Sequence, residues 1–453
     1  MSSLIPNPRT VRLIAPVAVF LIVAFLVFHT YKSPGAIIPN IRTPNTNSDV
    51  PSPPPFVGGH DGQDNGDGKA SSKFQPPEAS VQHSVVRGDK IVWTNDNETV
   101  WQSVGRDPNR PECWTYEDRF GIYKKLSPEM AKTISDNNKN SKNRRALVLR
   151  LGGNQAWKSH FIWHVRSLVM EAGHLAGYDV IISVHLDMDG EKKAAWLKKV
   201  PEELRPLVQT FSTQDLKKWI PKPAEFKNVY EQNHTPVQMF MAQNPKYDFV
   251  YTVENDVRLI GRWDTFLADV DAEYAFHRKH QEKDQSMSDI PDLVTFQSVR
   301  RPRDDWPWLK ADSEEACIKQ FGGLENIRSS LGVVWGWSRK LTDSLTQFNK
   351  DGLNCYFEYF APSVAYHQNL TTFFYQHPLY CPNRPSPSER HSIALKDLGK
   401  NDPRLVQYDK VAVGCTYYFV KVHAQPFWET WYRNPEACRP PALVHPIKGD
   451  FFN

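Results

Sequence analysis

Glu254 and Asp256 stand one residue apart where the run Phe249-Val250-Tyr251-Thr252-Val253 stops, and Arg258 and Gly261 follow closely. Aromatic and β-branched residues in so short a run predict a buried strand. A strand end bends out of strict alternation, so both carboxylates can reach one hard cation. Mg²⁺ and Mn²⁺ take oxygen ligands and bridge to phosphate oxygens. In a parallel α/β sheet the carboxyl ends of the strands are where ligands bind, and this triplet would lie there. The same three residues also read as an ordinary acidic turn, because short motifs match by chance.

Other residues compete or cooperate. Asp187 and Asp189, in DMDG after the apolar run 180–186, form a rival pair. The more aromatic run before Glu254 predicts a deeper strand, which places the cation at 254–256. Asp187 is left to touch the ribose or base of a nucleotide, or to serve as a turn aspartate. Glu358 sits among aromatics in FEYFAPSVAYH, where desolvation would raise its pKa toward general-base duty. A capping or salt-bridged glutamate is the competing assignment. His423, in YYFVKVHAQPFW, is a candidate late ligand to the same cation or a core histidine. His160 and His164 are one helical turn apart but lack the glutamate of a zinc-protease motif. Asp304 and Asp305 suit the rim of a sugar-acceptor site or a solvated loop. No nucleophile elbow, Walker loop or dinucleotide fingerprint follows a strand, so those chemistries have no anchor. A glycoside hydrolase needs a second carboxylate at a set distance from Glu358, and none can be named.

These groups need a scaffold to position them. ALVLRL at 146–151 predicts a first strand, broken by Gly152-Gly153. An amphipathic helix over 157–173 carries Phe161, Val165, Leu168 and Ala172 on one face. VIISVHL at 180–186 predicts a second strand. Strand, helix and strand in this length make a βαβ unit, hence a parallel sheet with right-handed crossovers. Helical stretches at 191–205 and 236–243 lead to the strand at 248–254, with further apolar segments at 293–299 and 331–337. The expected class is α/β: one large domain over 145–453 with a mostly parallel central sheet. A lead-in of mixed structure, with a strand at 91–93, occupies 82–144.

The chain has 453 residues, 40% hydrophobic and 12% aromatic, enough to bury a large core. Its 55 basic and 51 acidic residues nearly cancel, which gives no case for nucleic acid. Leu13 to Phe28 carries no polar residue, and the stretch extends to Tyr31. At ~1.5 Å per residue, about 19 residues reach roughly 28 Å, a bilayer span. Arg9 and Arg12 lie before it, so residues 1–12 are expected to be cytosolic, 13–31 a signal anchor, and the rest lumenal. No small-x-small cleavage site follows Phe28, which favours an anchor over a cleaved signal. Residues 32–81, rich in Pro, Gly, Ser, Asn and Asp, are expected to be a disordered stem. All six cysteines (113, 317, 355, 381, 415 and 438) lie beyond the anchor and can form disulfides, with every pairing open. Asn97, Asn233 and Asn369 head N-x-T sequons, the second followed at once by Pro236.

Four places carry a family likeness: ALVLR at 146–150, YDFVYTVENDVRLIG at 247–261, EYFAPSVAYHQNL at 358–370 with HPLY at 377–380, and YYFVKVHAQPFWETW at 417–431. In these the chain resembles a family of fungal single-pass membrane proteins, classed as a domain of unknown function and related in pattern to the A-type (GT-A-like) glycosyltransferases. The likeness spans roughly Cys113 to Trp431. Asn255 replaces the family's usual apolar residue, and Ala361 replaces a proline. The resemblance implies a GT-A-like fold and a Golgi-type, type II membrane enzyme. Such an enzyme would move a sugar from a nucleotide-sugar donor to a glycan, protein or lipid hydroxyl, assisted by Mn²⁺ or Mg²⁺. Asp256 and Glu254 would then hold the cation, with Arg258 or Arg150 on the diphosphate and Glu358 as base if the reaction inverts. The alternative is a catalytically silent lumenal protein that binds a glycan or a partner on the same scaffold.

Overall fold

The computed structural model describes residues 84–87, 90–94, 114–139, 141–220, 226–280, 288–297, 299, 301–302, 312–375, 377, 417, 421–435 and 442–448. The anchor at 13–31, the stem at 32–81, Asn97, Asp304, Asp305 and Cys113, Cys381, Cys415 and Cys438 lie outside them. Among the described residues no helix is long and apolar enough to cross a membrane.

The strands are β1 (Ser84–Arg87), β2 (Lys90–Thr94), β3 (Arg145–Gly152), β4 (Asp179–His185), β5 (Val208–Phe211), β6 (Phe249–Glu254), β7 (Arg258–Leu259), β8 (Leu293–Thr295), β9 (Val334–Ser338), β10 (Thr371–Phe374) and β11 (Leu443–Val444). Nine of them form one sheet in the order β2-β1-β10-β8-β9-β6-β3-β4-β5. β5, β4, β3 and β6 run parallel. β9 enters antiparallel between β6 and β8, and β1 lies antiparallel to β10 and β2. The other strands share one direction, so this is a mixed α/β fold with a mostly parallel sheet.

Both faces of the sheet are covered, which is why its central strands read as continuous apolar runs rather than alternating ones. In β3, Ala146, Leu147, Val148 and Leu149 are all buried. Leu147 and Leu149 pack on one side with Phe161, Val165 and Leu168, while Ala146 and Val148 pack on the other with Val237, Met241 and Trp335.

The helix expected over 157–173 starts at Ser159 and changes winding at Leu168, continuing as a seven-residue π-helix, Val169–Leu175. The wider turn falls at Glu171, a buried carboxylate that accepts from Arg119 Nη1 (2.7 Å), Arg119 Nη2 (2.9 Å), Tyr123 OH (2.8 Å) and the Trp263 N–H (2.9 Å). Such π-type turns commonly accompany a special local demand, here the burial of a paired charge.

The segment 82–144 contributes to the same body. β1 and β2 extend the sheet, and the helices Tyr116–Lys124 and Pro128–Asp136 follow. Thr115 and Asp118 form a capping box on the first, while Ser127 caps the second ahead of Pro128. Tyr116, Phe120 and Tyr123 join Trp428, Trp431, Val444 and Ile447 in a separate aromatic cluster. That helix gives no hydrophobic signal because its buried stripe contains Arg119, while Ile122 is exposed. Cys317 and Cys355 form a disulfide that ties the helix Asp312–Gln320 to the residues entering the helix Phe357–His367.

A candidate metal and nucleotide site at the sheet edge

The register of the parallel strands sets the site. Arg150 lies opposite Glu254, Gly152 opposite His185, and His185 opposite Phe211, so their carboxyl ends form one edge. β6 ends at Glu254, and the chain turns through Asn255 and Asp256 into β7. There it meets a strand from far downstream: Val444 of β11 pairs with Arg258, and Leu443 with Leu259. The Ile447 N–H donates to the Asp256 carbonyl at 2.8 Å and locks the two segments together.

This pairing delivers His445 and Lys448 to the acidic turn. His445 Nε2 lies 3.7 Å from Asp256 Oδ1 and 4.0 Å from Glu254 Oε2. Lys448 Nζ is 3.4 Å from Asp256 Oδ2. One ligand atom from each of Glu254, Asp256 and His445 can be chosen so that all lie within 4.8 Å of one another.

The two oxygens of Glu254 have different surroundings. Oε1 accepts from Arg150 Nη2 and from Asn233 Nδ2, each at 3.3 Å. Oε2 faces His445. Burial raises the Glu254 pKa, and the charge of Asp256 adds to the rise against the pull of Arg150 and Lys448. About one fifth of the side chain stays exposed, which moderates that rise. Asp256 Oδ1 is buried and accepts no hydrogen bond. An orphaned carboxylate oxygen beside a second carboxylate and an imidazole is what a bound cation would satisfy. Two oxygens and one nitrogen suit Mn²⁺ better than Mg²⁺, which holds to oxygen ligands and retains water.

The cluster opens into a cavity of about 590 Å³ along the edge of β3, β4 and β6, in the range of small-ligand pockets. Glu254, Asp256, Lys448 and Tyr230 are among its lining residues. Gly152, Asn154, Ser183, His185 and Phe211 line it too, with the His185 ring stacked on Phe211 at 5.4 Å between centroids.

All the expected site residues but His423, Asp304 and Asp305 have described side chains. Glu254 and Asp256 meet as the spacing suggested. Arg150 is largely buried but lines the cavity, and its Nη2 also donates to the Gly332 carbonyl at 2.7 Å. Arg258 reaches the cavity, but its Nη1 donates to the carbonyls of Asn255 (2.6 Å) and Val257 (2.8 Å). It therefore braces the acidic turn, and burial brings its pKa down to about 10. Asp187 is bound through both oxygens by Thr213, from the backbone N–H and from Oγ1, each at 2.6 Å. It is not among the cavity-lining side chains, whereas His185, 3.3 Å from Asp187 Oδ2 through its Nε2, is. His423 lies in the helix Lys421–Arg433, and its side chain is outside the described part. The histidine seen beside the carboxylates is His445, which spacing in the sequence gave no reason to pair with them.

Glu358 is buried behind the cavity wall, at the start of the helix Phe357–His367. The Gly332 N–H donates to its Oε1 at 3.4 Å, so the N–H and C=O of one glycine hold Glu358 and Arg150 respectively. A side chain at Gly332 would run into the Phe357 ring, so this close approach requires glycine. Burial pushes the Glu358 pKa up to about 8, with the Gly332 N–H opposing and the charge of Glu254 reinforcing. The folded chain thus keeps a proton that the unfolded chain releases near the ordinary value of 4.5. Stability falls as pH rises across that window. In metal-free buffer, the Tm of Glu358→Gln relative to the parent is expected to rise steadily from about pH 5 to about pH 8. A difference that stays flat over that range would remove the neutral buried carboxyl.

Residues 75–289 match a family described as "Protein of unknown function (DUF3405)". No curated protein sequence matches the chain. Solved structures similar to it include the galactosyltransferase LgtC with donor and acceptor sugar analogs, at 10% identity and a TM-score of 0.30 over 62% of this chain and 89% of that one. The mannosyltransferase Ktr4p from S. cerevisiae in complex with GDP gives 14% identity and 0.30 over 64% and 80%. GalNAc-T7 with UDP, GalNAc and Mn²⁺ gives 13% and 0.29 over 75% and 65%.

Proposed function

We propose that this chain is a metal-dependent glycosyltransferase that takes a nucleotide sugar as donor and a glycan, protein or lipid hydroxyl as acceptor. The observation that carries this reading is the cluster of Glu254, Asp256 and His445, whose two carboxylates line a cavity at the carboxyl edge of the parallel strands. A bare cation site needs no such cavity. One that also has a cationic lysine and a stacked aromatic wall fits a nucleoside diphosphate.

Glu254, Asp256 and His445 would hold Mn²⁺, which when bound offsets charge building on a departing diphosphate. Lys448, 62% exposed and pointed at Asp256, is placed to donate to phosphate oxygens. The His185–Phe211 stack offers a flat apolar wall to a base. Arg150 orients Glu254 from below. Glu358 serves as base for the acceptor only if the reaction inverts and the wall in front of it opens. Its absence from the cavity lining favours, as a second reading, a catalytically silent lumenal module that binds a glycan or a partner. The signal anchor and stem expected at 13–81 would place the domain in the lumen of a Golgi-type compartment.

The test is a thermal-shift panel of UDP, GDP and cytidine monophosphate, each with and without Mn²⁺. A ligand at a hundredfold excess over Kd stabilises the folded state by about 2.7 kcal/mol. One nucleotide is expected to raise Tm, and only with metal. No shift with any of them would leave the binding module.

A further inference from the structure

Asn233 reads in sequence as the head of an N-glycosylation sequon, Asn233-His234-Thr235. The fold puts it to a different use. Its side chain lines the cavity, and Nδ2, the atom that would carry a glycan, donates to Glu254 Oε1 at 3.3 Å. The sequon threonine is fully buried, and Pro236 follows it in the wall of the same cavity. The backbone here is fixed from both sides. His234 is buried with its Nε2 against Asn354 Oδ1 at 2.8 Å, and the Thr235 N–H donates to the Gln232 carbonyl at 3.0 Å.

We propose that Asn233 is a positioning residue for the cation site, a role that requires its sequon to be unmodified. Its amide and the Arg150 guanidinium share Oε1 of Glu254, which turns Oε2 toward His445 and Asp256. Without the amide, a single arginine contact at 3.3 Å holds the carboxylate, and the plane of the group is free to rotate about it. A glycan on Nδ2 would fill the space in front of both carboxylates. The inference rests on the metal-site reading, and its test separates the two.

Hydrogen-bond partners of metal ligands are worth roughly 10–100-fold in metal affinity. The full chain in detergent micelles would be titrated with Mn²⁺ alone, with the free ion followed by its electron paramagnetic resonance signal. Asn233→Ala is expected to weaken Mn²⁺ binding about tenfold or more. Thr235→Val destroys the same sequon but keeps the amide, and is expected to bind as the parent does. Binding by the parent that Asn233→Ala leaves unchanged overturns this inference and spares the metal site. Equal weakening in Thr235→Val overturns it too, by assigning the effect to the sequon or the helix start. A parent that binds no Mn²⁺ overturns the metal site and this inference with it. A glycan found on Asn233 in protein recovered from secreting cells also overturns it.

Discussion

Asp256→Asn should abolish Mn²⁺-dependent nucleotide binding while the domain stays folded. The substitution keeps shape but exchanges an anionic oxygen ligand for an amide. Asp256 is 7% exposed, its Oδ1 is buried without a donor, and it sits between His445 and Lys448. Losing a ligand costs more than the roughly 10–100-fold measured for a ligand's hydrogen-bond partner, so affinity should fall by at least about 100-fold. The turn survives because its bracing is mostly through the backbone. The Asp256 carbonyl accepts from the Ile447 N–H, and Arg258 holds the carbonyls of Asn255 and Val257. Removing one of two neighbouring carboxylates relieves repulsion on Glu254 but also takes favourable charge from buried Arg258 and Arg150, so in metal-free buffer Asp256→Asn should stay folded with only a modest change in Tm. Circular dichroism melts and Mn²⁺ titrations decide the matter. A nucleotide shift that still needs Mn²⁺ in this variant would move the cation elsewhere.

The largest stability effect is expected at Arg119, which does not line the cavity. Its guanidinium and the Glu171 carboxylate are 1% and 2% exposed and form paired hydrogen bonds. Arg119→Met leaves Glu171 as a buried charge without its counter-ion, which typically costs about 3–5 kcal/mol. Tyr123 OH and the Trp263 N–H would remain on Glu171, and neither carries a charge. Adding Glu171→Met to Arg119→Met removes the orphan and should recover most of the loss, because a well-packed apolar pair replaces a buried ion pair at little cost. Urea unfolding of the two single variants and the double variant measures this directly. Strictly additive losses would show that the pair does not act as a unit. Arg119 Nε also donates to the Leu259 carbonyl in β7, at 3.4 Å. The single variant should therefore bind Mn²⁺ more weakly even below its melting range.

How far the sequence went depended on whether a feature was local. The strand at 249–254 and its acidic end could be read because an aromatic and β-branched run announces a buried strand, and two carboxylates mark where it stops. β3 and β4 could be read for the same reason. The antiparallel entry of β9 could not, since an apolar run carries no direction. His445 was invisible because a two-residue pairing, β7 with β11, brings it to Asp256, and a two-residue strand leaves no periodic trace. Asn233 was read as a sequon because a tripeptide does not reveal which way its amide points. The helix Tyr116–Lys124 was missed because an ion pair occupies its buried stripe. In each case the missing information was the partner, and the partner lay more than twenty residues away or on another element.

The pairing of β7 with β11 also bears on how the protein is made. Glu254 and Asp256 leave the ribosome long before His445 and Lys448, after most of the sheet has been synthesised. At ~5–20 residues per second, the intervening stretch takes on the order of ten seconds or more to appear. For that interval the nascent chain carries two adjoining carboxylates with neither the third ligand nor the lysine. Bringing the ends of so long a loop together costs only a little more entropy than closing one half its length, because the penalty grows with the logarithm of length. If the cluster binds a cation as proposed, its loading would be deferred until the downstream strand has docked, and a chain that stalls before Leu443 would lack His445 and Lys448.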